Sequence, residues 1–258
     1  MSNVRVELQV EIAARPATVW QTLTEPESFG RWMGAAMGEA EIDPRLGGGI
    51  RVTFPGTVVV GEITAFEAPK KLAFTWGYEG GQPVAPGASL VTLELDTLES
   101  GAAAGGTRLT LTHAGLPDEA AAAGHRGGWR LYTSVLAGLA AAAAHEAHLR
   151  PAVDGWFAAW AEPDAGRRAE RLAGCTTEAV AFRHAFAALV GRDDLSGHIA
   201  TSQRHMAGMT LEADGEPTLC HGFVKMPWRV VQDGAAVAAG VNFGQLDLDG
   251  RFSLVVGF

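Results

Sequence analysis

The chain has 258 residues, of which 47% are hydrophobic and 19% are charged. This composition supports one or two packed domains and excludes general disorder. The formal net charge of −9 excludes a strongly basic surface, so we expect no nucleic-acid partner.

Motifs exclude further classes of protein. The most apolar helical run, SVLAGLAAAAA, is too short to span a bilayer, so we expect a cytoplasmic protein without a membrane partner. Cys175 and Cys220 fall in no CxxC or zinc-like spacing, which argues against a disulfide or a metal site. The chain contains no phosphate-binding or dinucleotide-binding glycine motif, and we expect no cofactor.

The first half has a strand-rich pattern. Residues 4–12 alternate apolar and polar side chains, which predicts a strand with one solvated face. A short helix is predicted from Pro16 to about Glu25. Further antiparallel strands are predicted at residues 50–54, 58–67, 70–76, 91–95 and 107–113.

The hydrophobic period changes after Pro117. Apolar and small residues from Trp129 to Ala143 recur at helical spacing, which predicts one long amphipathic helix. We expect this helix to end before Pro151, because the residue preceding a proline disfavours helical geometry. The predicted domains are therefore residues 1–150 and 151–258.

The second half begins with helices and ends with strands. Helices are predicted at 152–161, 164–173 and 193–203, and a short strand at 178–182. The later strands are predicted at 205–213, 218–226, 228–232, 235–248 and 251–258. The pairs Asp233-Gly234 and Asp249-Gly250 predict hairpin turns. This order predicts a curved antiparallel sheet in an α+β cone.

The first half resembles the START-like (SRPBCC) superfamily and, within it, homologues of the activator of heat shock protein 90 ATPase. The similar segments are PATVWQTLTEPESFGRW, the Gly47–Gly49 turn, GEITAFEAPKKLAFTW, GTRLTLTHAGLP and GHRGGW. The resemblance implies an α+β helix-grip fold, in which a curved sheet folds around a long helix and leaves a cavity between them.

The second half resembles the SnoaL-like group of the nuclear transport factor 2-like superfamily. The similar segments are WFAAWAEPD with Arg167, GRDDLSGHI, the CHG stretch ending at Trp228, and GVNFGQLDLDGRFSLVVGF. The resemblance implies an α+β cone whose mouth holds a small, mostly apolar molecule. It also implies a homodimer through the C-terminal sheet.

Seven aromatic residues are candidates for ligand-binding walls. They are Trp32, Phe74, Trp76, Trp129, Trp156, Trp160 and Trp228. Core packing is the alternative for the four in the first half, and packing of a lid helix is the alternative for Trp156 and Trp160. His113 ends the strand GTRLTLTH, where an imidazole could accept a proton. No carboxylate is close in sequence to orient it, so we interpret His113 as framework.

Asn242 and His221 are the candidate catalytic residues. Asn242 lies where the SnoaL-like closing block often carries an aspartate, so the resemblance implies a hydrogen-bonding amide in place of a carboxylate. His184, His198, His205 and His221 could still accept protons. We expect His198 to be helix framework and His221 to lie on a central strand.

Three functions stay open, because both superfamilies include enzymes and plain binding proteins. The first is binding of a small apolar molecule, aromatic or polyketide-like, in the domain cavities without a cofactor. The second is a cofactor-independent isomerase, cyclase or hydrolase in the SnoaL-like domain, with His221 as base and Asn242 as orienting donor. The third is a chaperone-regulating interaction protein.

Overall fold

The computed structural model describes residues 4–34, 39–99 and 104–258. The chain divides into two compact units, Met1–Ala143 and Ala144–Phe258. Helices and sheets occur in both units, which confirms the predicted α+β class. Within the described ranges, no helix combines the length and the apolar character needed to cross a membrane.

Unit 1 is built on a seven-stranded antiparallel sheet. The strands are β1 (Arg5–Ile12), β2 (Glu39–Ile42), β3 (Gly49–Phe54), β4 (Thr57–Glu67), β5 (Lys71–Tyr78), β6 (Ser89–Thr97) and β7 (Thr107–Ala114). Their order is β1-β7-β6-β5-β4-β3-β2, so β3 to β7 form the predicted meander, and β2, which was not predicted, extends it at one edge. Two short helices, α1 (Pro16–Thr24) and α2 (Pro26–Met33), follow β1.

Strand β7 carries His113, a buried polar residue of unit 1. Its residues alternate between buried and more exposed positions, with Leu109, Leu111 and His113 fully buried. His113 lies opposite Val6 of β1 and Val91 of β6. The alternation therefore directs His113 inward, with a paired strand on each side.

Helix α3 runs from Glu119 to Ala161, with Pro151 inside it. The prediction that the helix ends before Pro151 is wrong. A proline inside a helix costs about 3 kcal/mol, because it lacks a backbone N–H and its ring crowds the preceding turn. Ala152, Val153 and Trp156 directly after it are buried in the core of unit 2. Their burial offsets the local cost of the proline.

Unit 2 has a mixed sheet. Its helices are α4 (Ala165–Cys175) and α5 (Arg192–His205), and its strands are β8 (Thr176–His184), β9 (Ala187–Val190), β10 (Met209–Ala213), β11 (Thr218–Cys220), β12 (Phe223–Gln232), β13 (Ala235–Leu246) and β14 (Phe252–Gly257). The order is β10-β12-β13-β14-β8-β9, and β11 pairs with β12. Strands β14 and β8 are parallel, which corrects the prediction of a wholly antiparallel sheet.

Two tight turns shape the central strands of unit 2. Asp233 and Gly234 join β12 to β13 with φ angles of 50° and 79°, which confirms the predicted hairpin. His221 and Gly222 join β11 to β12 with φ angles of 50° and 83°. Two consecutive positive φ angles are the signature of a type I′ turn. The predicted continuous strand 218–226 is therefore two strands.

Candidate functional site

Unit 2 contains a cavity of about 350 Å³. Residues from the end of α3, from α5 and from strands β8, β10, β12, β13 and β14 line it. Its lining is mostly apolar and includes the aromatic rings of Trp160, Phe182, Phe186, Trp228 and Phe258. The polar lining groups are His184, His198, Ser202 and Asn242. A mostly apolar cavity with few polar groups is the usual form of a small-molecule site.

The three predicted aromatic residues of unit 2 have different positions. Trp160 and Trp228 line the cavity, as the ligand-wall hypothesis requires. Trp156 is fully buried in the core, with its ring centroid 6.0 Å from that of Trp160 and 5.7 Å from that of Phe182. Trp160 therefore forms part of the cavity wall, and Trp156, on the same face of α3, packs against it from the core.

His184 and His198 form a hydrogen-bonded pair at the cavity. Their Nε2 atoms are 3.1 Å apart, and the Phe186 N–H donates to Nδ1 of His184 at 3.4 Å. That donation leaves the proton of neutral His184 on Nε2, so His184 donates to Nε2 of His198. Burial lowers the pKa of both imidazoles, and the neighbouring His184 lowers the pKa of His198 further. The pair is therefore uncharged near neutral pH.

Asn242 lies on β13 in the wall of the same cavity and is 6% exposed. It is opposite Met226 on β12 and Gly257 on β14. A Cβ atom at Gly257 would lie 2.8 Å from Oδ1 of Asn242, so this glycine makes room for the amide. No side-chain hydrogen bond of Asn242 is formed within the described ranges. The amide is thus placed to bind a polar group of a ligand.

His221 is not among the residues that line the cavity. It is exposed and occupies the first position of the turn between β11 and β12. The expectation that His221 lies on a central strand is wrong, because its backbone is in the left-handed region that ends a strand. The sequence did carry a signal, since a His-Gly pair between two apolar runs resembles the Asn-Gly and Asp-Gly turns.

Unit 1 contains a second cavity, of about 540 Å³. One face of α3 forms one wall and strands β3 and β5 contribute the other, through Phe54, Trp76 and Tyr78. Trp76 and Trp129 line the cavity, and their ring centroids are 5.1 Å apart. The other two predicted aromatic residues of unit 1, Trp32 and Phe74, are fully buried and outside this lining.

His113 lies behind this cavity and is fully buried. The Trp129 indole N–H donates to its Nδ1 at 3.0 Å, and its Nε2 is 2.8 Å from the Ser89 hydroxyl. Because that hydroxyl donates to the Trp76 carbonyl at 2.8 Å, Nε2 of His113 must carry the proton. Burial, assisted by the nearby His125, lowers the pKa of His113 to about 3. His113 is a neutral framework residue, as predicted.

The sequence analysis missed the polar lining of the unit 1 cavity. Nδ1 of His125 is 2.7 Å from the Ala121 carbonyl, to which it donates. Its Nε2 therefore accepts from the Tyr78 hydroxyl, at 3.4 Å. Burial raises the pKa of Tyr78 and of Tyr132. Helical spacing could have revealed this wall, because residues 125, 129 and 132 share one face of α3.

The two cysteines lie in different environments. Burial raises the pKa of the Cys175 thiol to about 12, and Cys220 is exposed on β11. In the part of the chain that the structure describes, no three His, Cys, Asp or Glu side chains form a group that could hold a metal ion.

A family model, Activator of Hsp90 ATPase homolog 1-like protein, matches residues 13–141. The chain belongs to this family. The match covers half of the chain and confirms the resemblance predicted for the first half. A search of curated proteins gives no match.

Solved structures resemble parts of this family member. A putative isomerase of the SnoaL-like family from Agrobacterium tumefaciens is 28% identical, covering 43% of this chain and 95% of its own, with a TM-score of 0.41. A Rhodobacter sphaeroides protein is also 28% identical, covering 53% and 91%, with a TM-score of 0.43. An HSP90 activator from Plasmodium falciparum is 22% identical, covering 50% and 90%, with a TM-score of 0.41.

Proposed function

We propose that the protein binds a small, mostly apolar aromatic molecule, without a cofactor, and that the unit 2 cavity is its principal site. The observation that carries this proposal is the Asn242 amide in the wall of a mostly apolar cavity that includes five aromatic rings. The amide lines the cavity and forms no side-chain hydrogen bond within the described ranges, so both its oxygen and its NH₂ group can pair with a ligand. A carbonyl or hydroxyl group of a ligand would supply that partner.

Shape and chemistry support the same ligand class. The volume of about 350 Å³ lies at the lower end of the range for small-molecule sites. Trp160 and Trp228 offer rings for stacking, and each favourable aromatic contact adds about 0.5–1.5 kcal/mol beyond area burial. The ligand would be a compact aromatic molecule with one or two oxygen substituents.

Native mass spectrometry of the purified full chain, followed by solvent extraction, tests the proposal. We expect a bound small molecule whose occupancy falls at least tenfold in Trp228→Ala. Arg229→Ala is the matched control, because Arg229 is the next residue on β12 but is exposed and outside the lining. Equal occupancy in both variants would contradict the assignment of the site.

A cofactor-independent isomerase, cyclase or hydrolase in unit 2 is the second candidate, because the His184–His198 pair lines the cavity. General base catalysis requires a ring nitrogen with a free lone pair. In the assigned tautomers, Nδ1 of His184 and Nε2 of His198 both already accept hydrogen bonds. His198 would have to release His184 before accepting a substrate proton, which favours binding over catalysis.

Turnover of the extracted ligand distinguishes the two candidates. An enzyme that uses the pair would lose turnover in His198→Gln while retaining the ligand. A binding protein would show no turnover in the parent chain. If the purified protein has empty cavities and a chaperone co-purifies with it, the third function, a chaperone-regulating interaction protein, would be favoured instead.

A further inference from the structure

The unit 1 cavity differs from that of unit 2 in charge and in shape. Among the twelve residues that line it, Asp118 alone carries a fixed charge, and none is lysine or arginine. Its rings are those of Phe54, Trp76, Tyr78, His125, Trp129 and Tyr132. One carboxylate beside many aromatic rings is a combination that attracts organic cations.

The lining runs lengthwise along α3. Asp118 and Tyr132 both line the cavity and lie about four helical turns apart, which is roughly 20 Å along the axis. A volume of about 540 Å³ spread over that length leaves room for one chain or one narrow ring system lying lengthwise. The shape therefore suits an elongated ligand.

Glycines on α3 keep this space open. Gly124 and Gly128 both line the cavity, and each costs about 1 kcal/mol of helix stability relative to alanine. A Cβ atom at Gly124 would meet nothing within 4 Å, and one at Gly128 would meet only Tyr132 at 3.6 Å. Packing within the protein therefore does not require glycine at either position. A ligand in the cavity would require it, because a larger side chain would fill the space that the ligand needs.

The charge at the Asp118 end is negative. Oδ1 of Asp118 accepts the Ala121 N–H at 2.8 Å and caps α3, which leaves its second oxygen for other partners. The helix dipole contributes about half a positive charge at this end, and the full negative charge of Asp118 exceeds it. Ala121 links this end to aromatic rings, because its N–H donates to Asp118 and its carbonyl accepts from His125, which in turn accepts from the Tyr78 hydroxyl. A cation there would therefore meet both the carboxylate and aromatic rings.

We propose that the unit 1 cavity binds an elongated organic cation, with its ammonium head at Asp118 and Tyr78 and its apolar body along Trp129 and Tyr132. This inference rests on the proposed small-molecule binding and adds a ligand class and a second site. A ligand of the same length with a carboxylate head would bind more weakly, because Asp118 would repel that head.

Three probes of equal chain length test the charge preference: decyltrimethylammonium, 1-decanol and decanoate. Calorimetry on the full chain should show the ammonium probe binding about tenfold more tightly than the alcohol, and decanoate more weakly than both. Because Asp118 is exposed and solvent screens its charge, Asp118→Asn should reduce the ammonium affinity about two- to fivefold and change the alcohol affinity less than twofold. Asparagine still caps a helix, so the fold of α3 is retained.

Two controls locate the site. Asp164→Asn makes the same change at the N-cap of α4 in unit 2 and should leave all three affinities unchanged. Gly124→Leu should fill the cavity and abolish binding of every probe while the melting temperature stays equal or rises. Binding that survives Gly124→Leu, or is lost in Trp228→Ala, would overturn the assignment to unit 1 and leave the proposed function of unit 2 intact.

The order of affinities decides the ligand class. Decanoate binding as tightly as the ammonium probe, or an unchanged ammonium affinity in Asp118→Asn, would overturn the proposal of a cation site. Absence of binding by all three probes would also overturn it. None of these outcomes alters the occupancy test on unit 2, so the two proposals fail separately.

Discussion

The buried imidazole of His113 should make unit 1 lose stability in mild acid. Its pKa is about 3 in the folded protein, compared with an ordinary value of 6.5. Between these values the unfolded chain binds a proton that the folded chain does not. The stability contributed by neutral His113 is therefore complete above about pH 6.5 and is lost as the pH falls toward 3.

The size of the effect follows from the shift. Each pH unit inside this window lowers the free energy of unfolding by about 1.4 kcal/mol for one such group. Between pH 7 and pH 4.5 the expected loss is about 2.5 kcal/mol, which is a large part of a typical domain stability of 5–15 kcal/mol. The physical cause is that Trp129 and Ser89 satisfy both ring nitrogens of the neutral form.

Comparison with His113→Gln isolates this contribution, because glutamine has no proton to gain. Urea unfolding of the full chain, followed by hydrogen exchange of the β6 and β7 amides, reports on unit 1. The difference in unfolding free energy between the parent and the variant should shrink by about 2.5 kcal/mol from pH 7 to pH 4.5. Leu111→Ala on the same strand is the control, and its difference should not depend on pH.

A difference between the parent and His113→Gln that stays within about 0.5 kcal/mol over this range would refute the reasoning. It would show that the folded protein accommodates a charged imidazole at this position. The accepting role of Nδ1 toward Trp129 would then be incorrectly assigned.

Three further predictions concern unit 2. Asn242→Leu should weaken ligand binding about 5- to 150-fold, measured by titration with the extracted molecule, because a polar group of the ligand would be left buried without its partner at a cost of about 1–3 kcal/mol; unchanged affinity would show that the amide does not contact the ligand. The resemblance of the second half implies a homodimer through the C-terminal sheet, and Phe243 is exposed on β13 beside Lys225; if that dimer forms through this face, Phe243→Lys should convert it to a monomer in sedimentation, and a parent chain that is already monomeric would contradict the dimer. Ellman's reagent should modify exposed Cys220 and not Cys175, whose pKa is about 12; rapid modification of two thiols would contradict its burial.

Local patterns in the sequence were sufficient for most of the strands and turns. The alternation in β1 and β7 follows from the period of two of an extended chain, and the structure pairs these strands residue by residue. The turn at Asp233 and Gly234 follows from the ease with which these residues adopt positive φ. These features depend on neighbours in sequence, so they can be predicted without knowledge of the fold.

Where the structure differs from the local sequence signal, packing in the tertiary structure is the reason. Pro151 is a helix breaker by its own chemistry, yet α3 continues because the next turn packs into the core of unit 2. His221 and Asn242 were predicted as a pair, but only Asn242 faces the cavity. The polar partners at that cavity are His184 on β8 and His198 on α5, which are brought together by the packing of a helix on a sheet.

Composition and periodicity were enough to predict the α+β class, the apolar face of most strands and several aromatic residues of the walls. Strands β2 and β9 were not predicted, and the choice of residues that line a cavity depends on how the elements pack. Trp156 and Trp160 have the same helical face and the same chemistry, yet one is core and the other is wall. The physical reason is that a cavity is space left unfilled between elements, and periodicity predicts which side chains point inward but not whether they fill that space.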